Sequence, residues 1–142
     1  MIKLPEMDEF EGTWEIHREI EDRMSNQNGT LDGTATLSPG GFEGGMIYRE
    51  TGELNLGEDS DTMEATRIYL WNEHPSGIAV FFQDGKPFHV IEMDRSMPDA
   101  QHHCAPDMYH VVYDFNKWPD WNVQWRVRGP RKDYRMVTKY KR

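Results

Sequence analysis

The chain reads as an all-β protein, an antiparallel up-and-down β-barrel of about ten strands. Three observations predict this. Apolar and polar residues alternate at period two along most of the 142 residues, the signature of half-buried strands. Turn-forming clusters of Gly, Pro, Asn and Asp interrupt that alternation about every 8 to 12 residues. The first and last candidate strands also carry opposite charges on matching faces. Residues 1–142 suffice for one domain with one sizeable core.

In the first strand Trp14, Ile16, Arg18 and Ile20 share one face, and Glu15, His17, Glu19 and Glu21 the other. Asn26-Gln27-Asn28-Gly29 has hairpin-loop composition. Leu31, Gly33, Ala35 and Leu37 resume the alternation until Pro39-Gly40-Gly41. Residues 46–50 and 53–56 read as a hairpin turning at Thr51-Gly52, and 58–61 as an acidic loop. Strands follow at 65–71, 78–83 and 88–93, parted by turns at His74-Pro75-Ser76-Gly77 and Asp84-Gly85. Residues 96–101 hold Pro98 and read as a loop. Two long strands, 107–115 and 121–128, flank 117–120, and Gly129-Pro130 turns into a last strand at 134–140. A short helix is expected near residues 6–11.

Closure follows from the ends. A meander of strands leaves two open edges unless the sheet curls on itself. On the last strand Tyr134, Met136, Thr138 and Tyr140 share one face, while Arg135, Lys139 and Lys141 share the other. With the apolar faces inward, the acids of the first strand lie outside beside this basic row. Opposite charges on neighbouring strands each favour pairing by roughly 0.2–1 kcal/mol.

Composition narrows the function classes. Net charge is −9, and eight of the 16 Lys and Arg residues fall after Trp125, against the single acid Asp133. Barrel closure uses that basic tail, and the acidity elsewhere opposes a phosphate backbone, so no nucleic-acid partner is expected. Cys104 is the only cysteine, which rules out an internal disulfide. The acidic N-terminus has neither signal-peptide nor transit-peptide character, and no apolar stretch approaches the roughly 20 residues of a membrane helix. A cytoplasmic protein without a membrane partner is the expectation; the oligomeric state stays open. The chain contains no phosphate loop, Gly-x-Gly-x-x-Gly, Gly-x-Ser-x-Gly or His-Glu-x-x-His, which disfavours nucleotide chemistry and triad hydrolysis.

Gly12-Thr13-Trp14, opening a long first strand, resembles the Gly-x-Trp signature of lipocalins. That likeness implies a Trp closing one end of the barrel against a basic residue from the end of the chain; Arg142 is in phase for this. Over nearly its full length the chain also resembles an uncharacterised, mainly bacterial lipocalin-like (calycin) domain family. The residues that carry this likeness are Gly12-Thr13-Trp14, Asp84-Gly85-Lys86-Pro87-Phe88-His89, His103-Cys104-Ala105-Pro106-Asp107-Met108-Tyr109 and Gly129-Pro130-Arg131-Lys132-Asp133-Tyr134. The resemblance implies the barrel but no activity. The chain lacks the disulfides and Thr-Asp-Tyr motif of secreted lipocalins, so a transport role does not transfer.

Inward charge supplies the site candidates. Arg18 is in phase with Trp14 and Ile16, and Arg67 with Tyr69 and Trp71. A charge on the inner face must meet a partner, water or a ligand. Arg18, Tyr48, Arg67, Tyr69, His89, His103, Tyr109 and Trp125 thus form the candidate ligand-binding set, an aromatic cavity with polar groups. The competing reading pairs Arg18 and Arg67 with Glu50 or Asp107, satisfying the core and nothing more. His102-His103-Cys104, with Asp107 and His110 downstream, has metal-ligand residue types, but its spacing fits no established motif, and neither a metal nor another cofactor is expected. Cys104 reads as a small hydrophobe rather than a nucleophile.

The expected function is binding of an aromatic or amphipathic small molecule with an anionic group. One alternative is a cofactor-independent lyase or isomerase in the same cavity. There His89 or His103 exchanges protons while Tyr109 and Arg67 hold negative charge. Another is haem or metal binding through a histidine.

Overall fold

A computed structural model describes residues 3–57 and 61–142. A one-turn 3-10 helix, Met7–Phe10, precedes ten strands: β1 (Gly12–Asp22), β2 (Gln27–Pro39), β3 (Met46–Leu56), β4 (Met63–His74), β5 (Gly77–Phe82), β6 (Pro87–Glu92), β7 (Asp99–Cys104), β8 (Asp107–Asp114), β9 (Trp121–Gly129) and β10 (Lys132–Lys141). They make one antiparallel sheet in the order β6-β5-β4-β3-β2-β1-β10-β9-β8-β7. Sequence neighbours pair throughout except at β6 and β7, which lie side by side without a hydrogen-bonded ladder. The first and last strands close the sheet instead, so the protein is a nearly closed up-and-down barrel. Glu15 lies opposite Lys141 and Glu21 opposite Arg135 on its outer face. No described helix is long and apolar enough to cross a membrane.

Period-two alternation aims Trp14, Ile16 and Arg18 of β1 inward, with Leu31, Ala35 and Leu37 of β2, and Met46, Tyr48 and Glu50 of β3. One barrel end is plugged. Phe10, fully buried, meets Trp71, Phe115, Trp118 and Trp121 with ring centroids 4.7–5.7 Å apart, all edge-on, the arrangement that ring quadrupoles favour. Trp14 donates its indole N–H to the Phe10 carbonyl at 2.9 Å. The Arg142 guanidinium lies 4.0 Å from the centroid of the Trp14 ring and donates to the carbonyls of Glu9 and Glu11. The basic residue expected at this Trp is therefore in place, held by cation–π attraction and by the backbone of the plug.

The strand count agrees with the sequence reading, but its composition does not. The hairpin expected at Thr51-Gly52 is one continuous strand, β3. Gly33 and Gly52 face each other across the β2–β3 pair, and a Cβ on Gly33 would sit 2.0 Å from the Thr51 carbonyl oxygen. Glycine at both positions marks a close approach of two backbones rather than a turn. Conversely, the expected loop at 96–101 is a loop only through Pro98; its second half opens strand β7, paired with β8 from Asp99 opposite Val112 to Cys104 opposite Asp107. The first hairpin turns earlier than Asn26-Gln27-Asn28-Gly29, at residues 23–26 with Asn26 at φ 55°, and Gln27 already begins β2. Of the acidic loop 58–61, residues 58–60 lie outside the described residues.

Candidate functional site

Halfway along the barrel a charged pair is buried. Arg18 donates through both terminal nitrogens to the two carboxylate oxygens of Glu50 (2.8 and 2.7 Å) and through Nε to Thr138 Oγ1 (2.7 Å). All three residues are at most 4% exposed. The register sets Arg18 opposite Leu31 and Glu50 opposite Ala35, so the diagonal from Arg18 to Glu50 crosses β2 at the small Gly33 and Ala35. Burial, the largest single influence on each, by itself would lower the Arg18 pKa and raise that of Glu50; their two-pronged hydrogen bond and the charge attraction around it together outweigh burial and drive both the other way. Both stay charged and cancel. Tyr48 donates to Glu50 Oε1 at 2.7 Å, and the 2.6 Å contact between the Tyr48 and Tyr140 hydroxyls is then donated by Tyr140. Burial is the largest influence and raises both phenol pKa values, with the Glu50 charge adding to it and, at Tyr140, Arg18 opposing it, so this chain of hydroxyls stays protonated.

Next to this cluster the alternation breaks. A register shift between Val80 and Phe81 in the β5–β6 pair is a bulge, which re-aims side chains. Phe88 and His89, adjacent in sequence, both turn toward the interior. Phe88 stacks on Trp125 (5.2 Å, 13°) and on Phe82 (4.2 Å, 20°). His89 Nε2 shares a 2.7 Å hydrogen bond with the Tyr113 hydroxyl. Burial, then the nearby His102, lowers the His89 pKa to about 3, so the imidazole is neutral at physiological pH. Its Nδ1 is closed off from solvent and has no partner, as is Nε1 of Trp121.

These groups line one cavity together with Arg67, Tyr69, Trp71, Val80 and Val123. The space between the walls is about 460 Å³ including its opening to solvent, of which about 40 Å³ admits the centre of a water molecule. That enclosed part is room for roughly three waters.

Of the sequence candidates, Arg18, Tyr48, Arg67, Tyr69, His89 and Trp125 line this cavity. Arg67 stands at the mouth, opposite Glu50 in the β3–β4 register, and among the described residues it makes no hydrogen bond or ion pair. Tyr109 lies at the rim, edge-on to Phe88 and Trp125, with Lys132 Nζ 3.5 Å from its hydroxyl. His103 is on the outer, exposed side of β7, and its neighbour His102 turns in against Phe82, Phe88 and Tyr109. Asp107 is taken by Lys132 at 3.3 Å, and Cys104 is exposed rather than buried. His17 binds Asp32 on the outer face at 2.6 Å. Among the described residues no group of three His, Cys, Asp or Glu could hold a metal ion. His89 is the cavity's histidine ligand candidate, and its Nε2 is already engaged.

Tyr113, Trp121, Thr138 and Tyr140 are cavity residues that the candidate set omitted. Their inward phase was visible in the sequence. Their roles arise from partners far along the chain, 24 residues away for Tyr113, 120 for Thr138 and 92 for Tyr140.

The chain belongs to a family of unknown function, DUF6314, whose model matches residues 10–142. Neither a curated protein nor a solved structure matches it.

Proposed function

We propose that this member of DUF6314 binds a small single-ring aromatic molecule with one negative charge, inside the barrel and in the cytoplasm. One observation carries the reading: within an aromatic cavity the inner charges Arg18 and Glu50 neutralise each other, while Arg67 at the mouth makes no hydrogen bond or ion pair among the described residues. Flat walls from Phe88, Trp125, Tyr69 and Trp71 suit a ring, and an unpaired guanidinium suits a carboxylate. The narrow free volume favours one ring over an extended lipid. A lipocalin-like relationship is part of the same reading, supported by Gly12-Thr13-Trp14 and by Arg142 lying over Trp14.

Proton-transfer catalysis has weaker support. A histidine with a pKa of about 3 is a poor base at neutral pH, and His103 faces away from the cavity. Haem ligation is disfavoured by the Tyr113 bond to His89 and by the small space.

The test is titration with single-ring acids such as benzoate and phenylacetate, followed by tryptophan fluorescence and by amide and side-chain shifts around Trp125. Saturable shifts at the cavity, weakened several-fold by Arg67→Gln and unaffected by His103→Ala, are expected. Absence of saturable shifts at cavity residues for every acid would sink the reading.

A further inference from the structure

One wall of the cavity is held differently from the rest. Every pair of neighbouring strands carries a hydrogen-bonded ladder except β6 and β7, which run side by side with none. Pro87, opening β6, has no N–H to give, as suits a strand at a sheet edge. Side chains span this seam instead. Phe82 and Phe88 meet the His102 ring edge-on, with centroids 5.8 and 5.2 Å apart. Among the described residues one hydrogen bond joins β6 to β7 or β8, the 2.7 Å contact of His89 with the Tyr113 hydroxyl. The connection between the two strands is pinned on both sides. Met93 N–H donates to the Ser76 carbonyl, beside β5, while the Ser96 and Pro98 carbonyls accept from Phe115 and Tyr113 N–H. Asp94 and Arg95 lie between those anchors. A hinge there swings most at the far end of the seam, where Phe82, Phe88 and His102 meet.

Volume supplies the reason for this wall to move. Cavities that take a benzene ring measure roughly 150 Å³, whereas the enclosed space here is about 40 Å³. The walls must part before a ring fits. Parting two laddered strands breaks a row of backbone hydrogen bonds; parting β6 from β7 breaks ring contacts and one side-chain bond. Moving segments are drawn from such weakly held regions. We infer that the β6–β7 seam is the movable wall of the cavity. β6 swings away from β7 about Asp94 and Arg95, the His89–Tyr113 bond releases as a latch, and the aromatic acid enters there and is enclosed. Arg67, on β4, is separated from the seam by β5 and holds the anion without taking part in the opening. This deepens the binding reading above and rests on it.

Stopped-flow tryptophan fluorescence with phenylacetate, at low temperature, is the test. A wall that must open first limits the rate, so the observed rate constant is expected to level off as phenylacetate rises. His102→Ala and Tyr113→Phe, which remove the ring and the latch across the seam, should each raise that plateau several-fold. Arg67→Gln should weaken binding and leave the plateau in place. Hydrogen exchange on the ligand-free wild-type protein needs no variant to fold: amides of β6 and β7 should exchange at least about tenfold faster than those of β1 and β10. A rate that climbs linearly to the highest concentration, a plateau that neither seam variant moves, or equal protection of all four strands overturns the inference while leaving cavity binding intact. Absence of any saturable fluorescence change overturns it together with the reading beneath it.

Discussion

The two ends of the barrel are built from similar residues to different effect. At the plugged end Phe10, Trp14, Phe115 and Trp121 are at most 3% exposed, and a 3-10 turn with Arg142 seals the last gap. At the open end Phe82, Tyr109 and Trp125 remain partly exposed, beside an unpaired Arg67 and the seam where β6 and β7 lack a ladder. Aromatic content alone does not distinguish a core from a binding wall. What differs is whether polar groups are answered. Trp14 N–H has a carbonyl and Arg142 has two, although Trp121 Nε1 of the plug is unanswered; on the cavity side His89 Nδ1 has no hydrogen-bond partner and Arg67 makes no hydrogen bond or ion pair among the described residues.

The contrast can be broken by mutation, and the largest effects are expected at the plug and the buried pair. Trp14→Ala should cost about 3–5 kcal/mol in urea unfolding, and Trp125→Ala at the mouth clearly less; equal losses would erase the distinction between the ends. Arg18→Met or Glu50→Gln should cost about 3–5 kcal/mol, because each leaves a buried partner unanswered. The double variant Arg18→Met/Glu50→Leu should recover much of that loss. A double variant as unstable as the singles would mean that the pair does more than neutralise itself.

Acid should weaken the cavity side next. The folded pKa of His89, about 3, lies below its ordinary 6.5, so between those values the unfolded chain binds the extra proton. Its contribution is complete above about pH 6.5 and is lost as pH falls toward 3, at no more than about 1.4 kcal/mol per pH unit. Glu50, also lowered, adds a loss at the acidic end of the same range. His89→Phe should flatten the stability profile between pH 6 and 4; an unchanged profile would contradict a buried neutral imidazole.

Smaller effects distinguish the two arginines. Arg142→Ala should cost about 1 kcal/mol through lost cation–π and carbonyl contacts, with no change in ligand affinity. Arg67→Gln should shift stability by no more than about 0.5 kcal/mol, its effect falling on the binding of aromatic acids.

Much of this fold was legible because period two forces a choice of face. Once Trp14 points inward, so do Ile16 and Arg18, and the same rule placed Tyr48, Arg67, Tyr69 and Trp125 on the cavity side. The rule failed where alternation is interrupted or uninformative. In β7 the polar run Gln101-His102-His103 shows no face; pairing of His102 opposite Tyr109 turned His102 inward and His103 out. At Phe88-His89 the bulge put both on the inner side. Gly52 looked like a turn because glycine serves turns and close approaches alike.

By itself the sequence determined the strand alternation, the charge-matched closing strands, the Trp at the plug with its terminal Arg, and an interior containing charge. Only the tertiary structure decided which of those charges is spent. Arg18 meets a carboxylate 32 residues away, diagonally across β2 at Gly33 and Ala35, and a hydroxyl 120 residues away on the neighbouring last strand. Arg67, in the same phase on its own strand, ends at the mouth with no hydrogen bond or ion pair among the described residues. Facing is a local property, fixed by the two-residue repeat of the backbone; partnership depends on how strands without sequence proximity meet across the barrel.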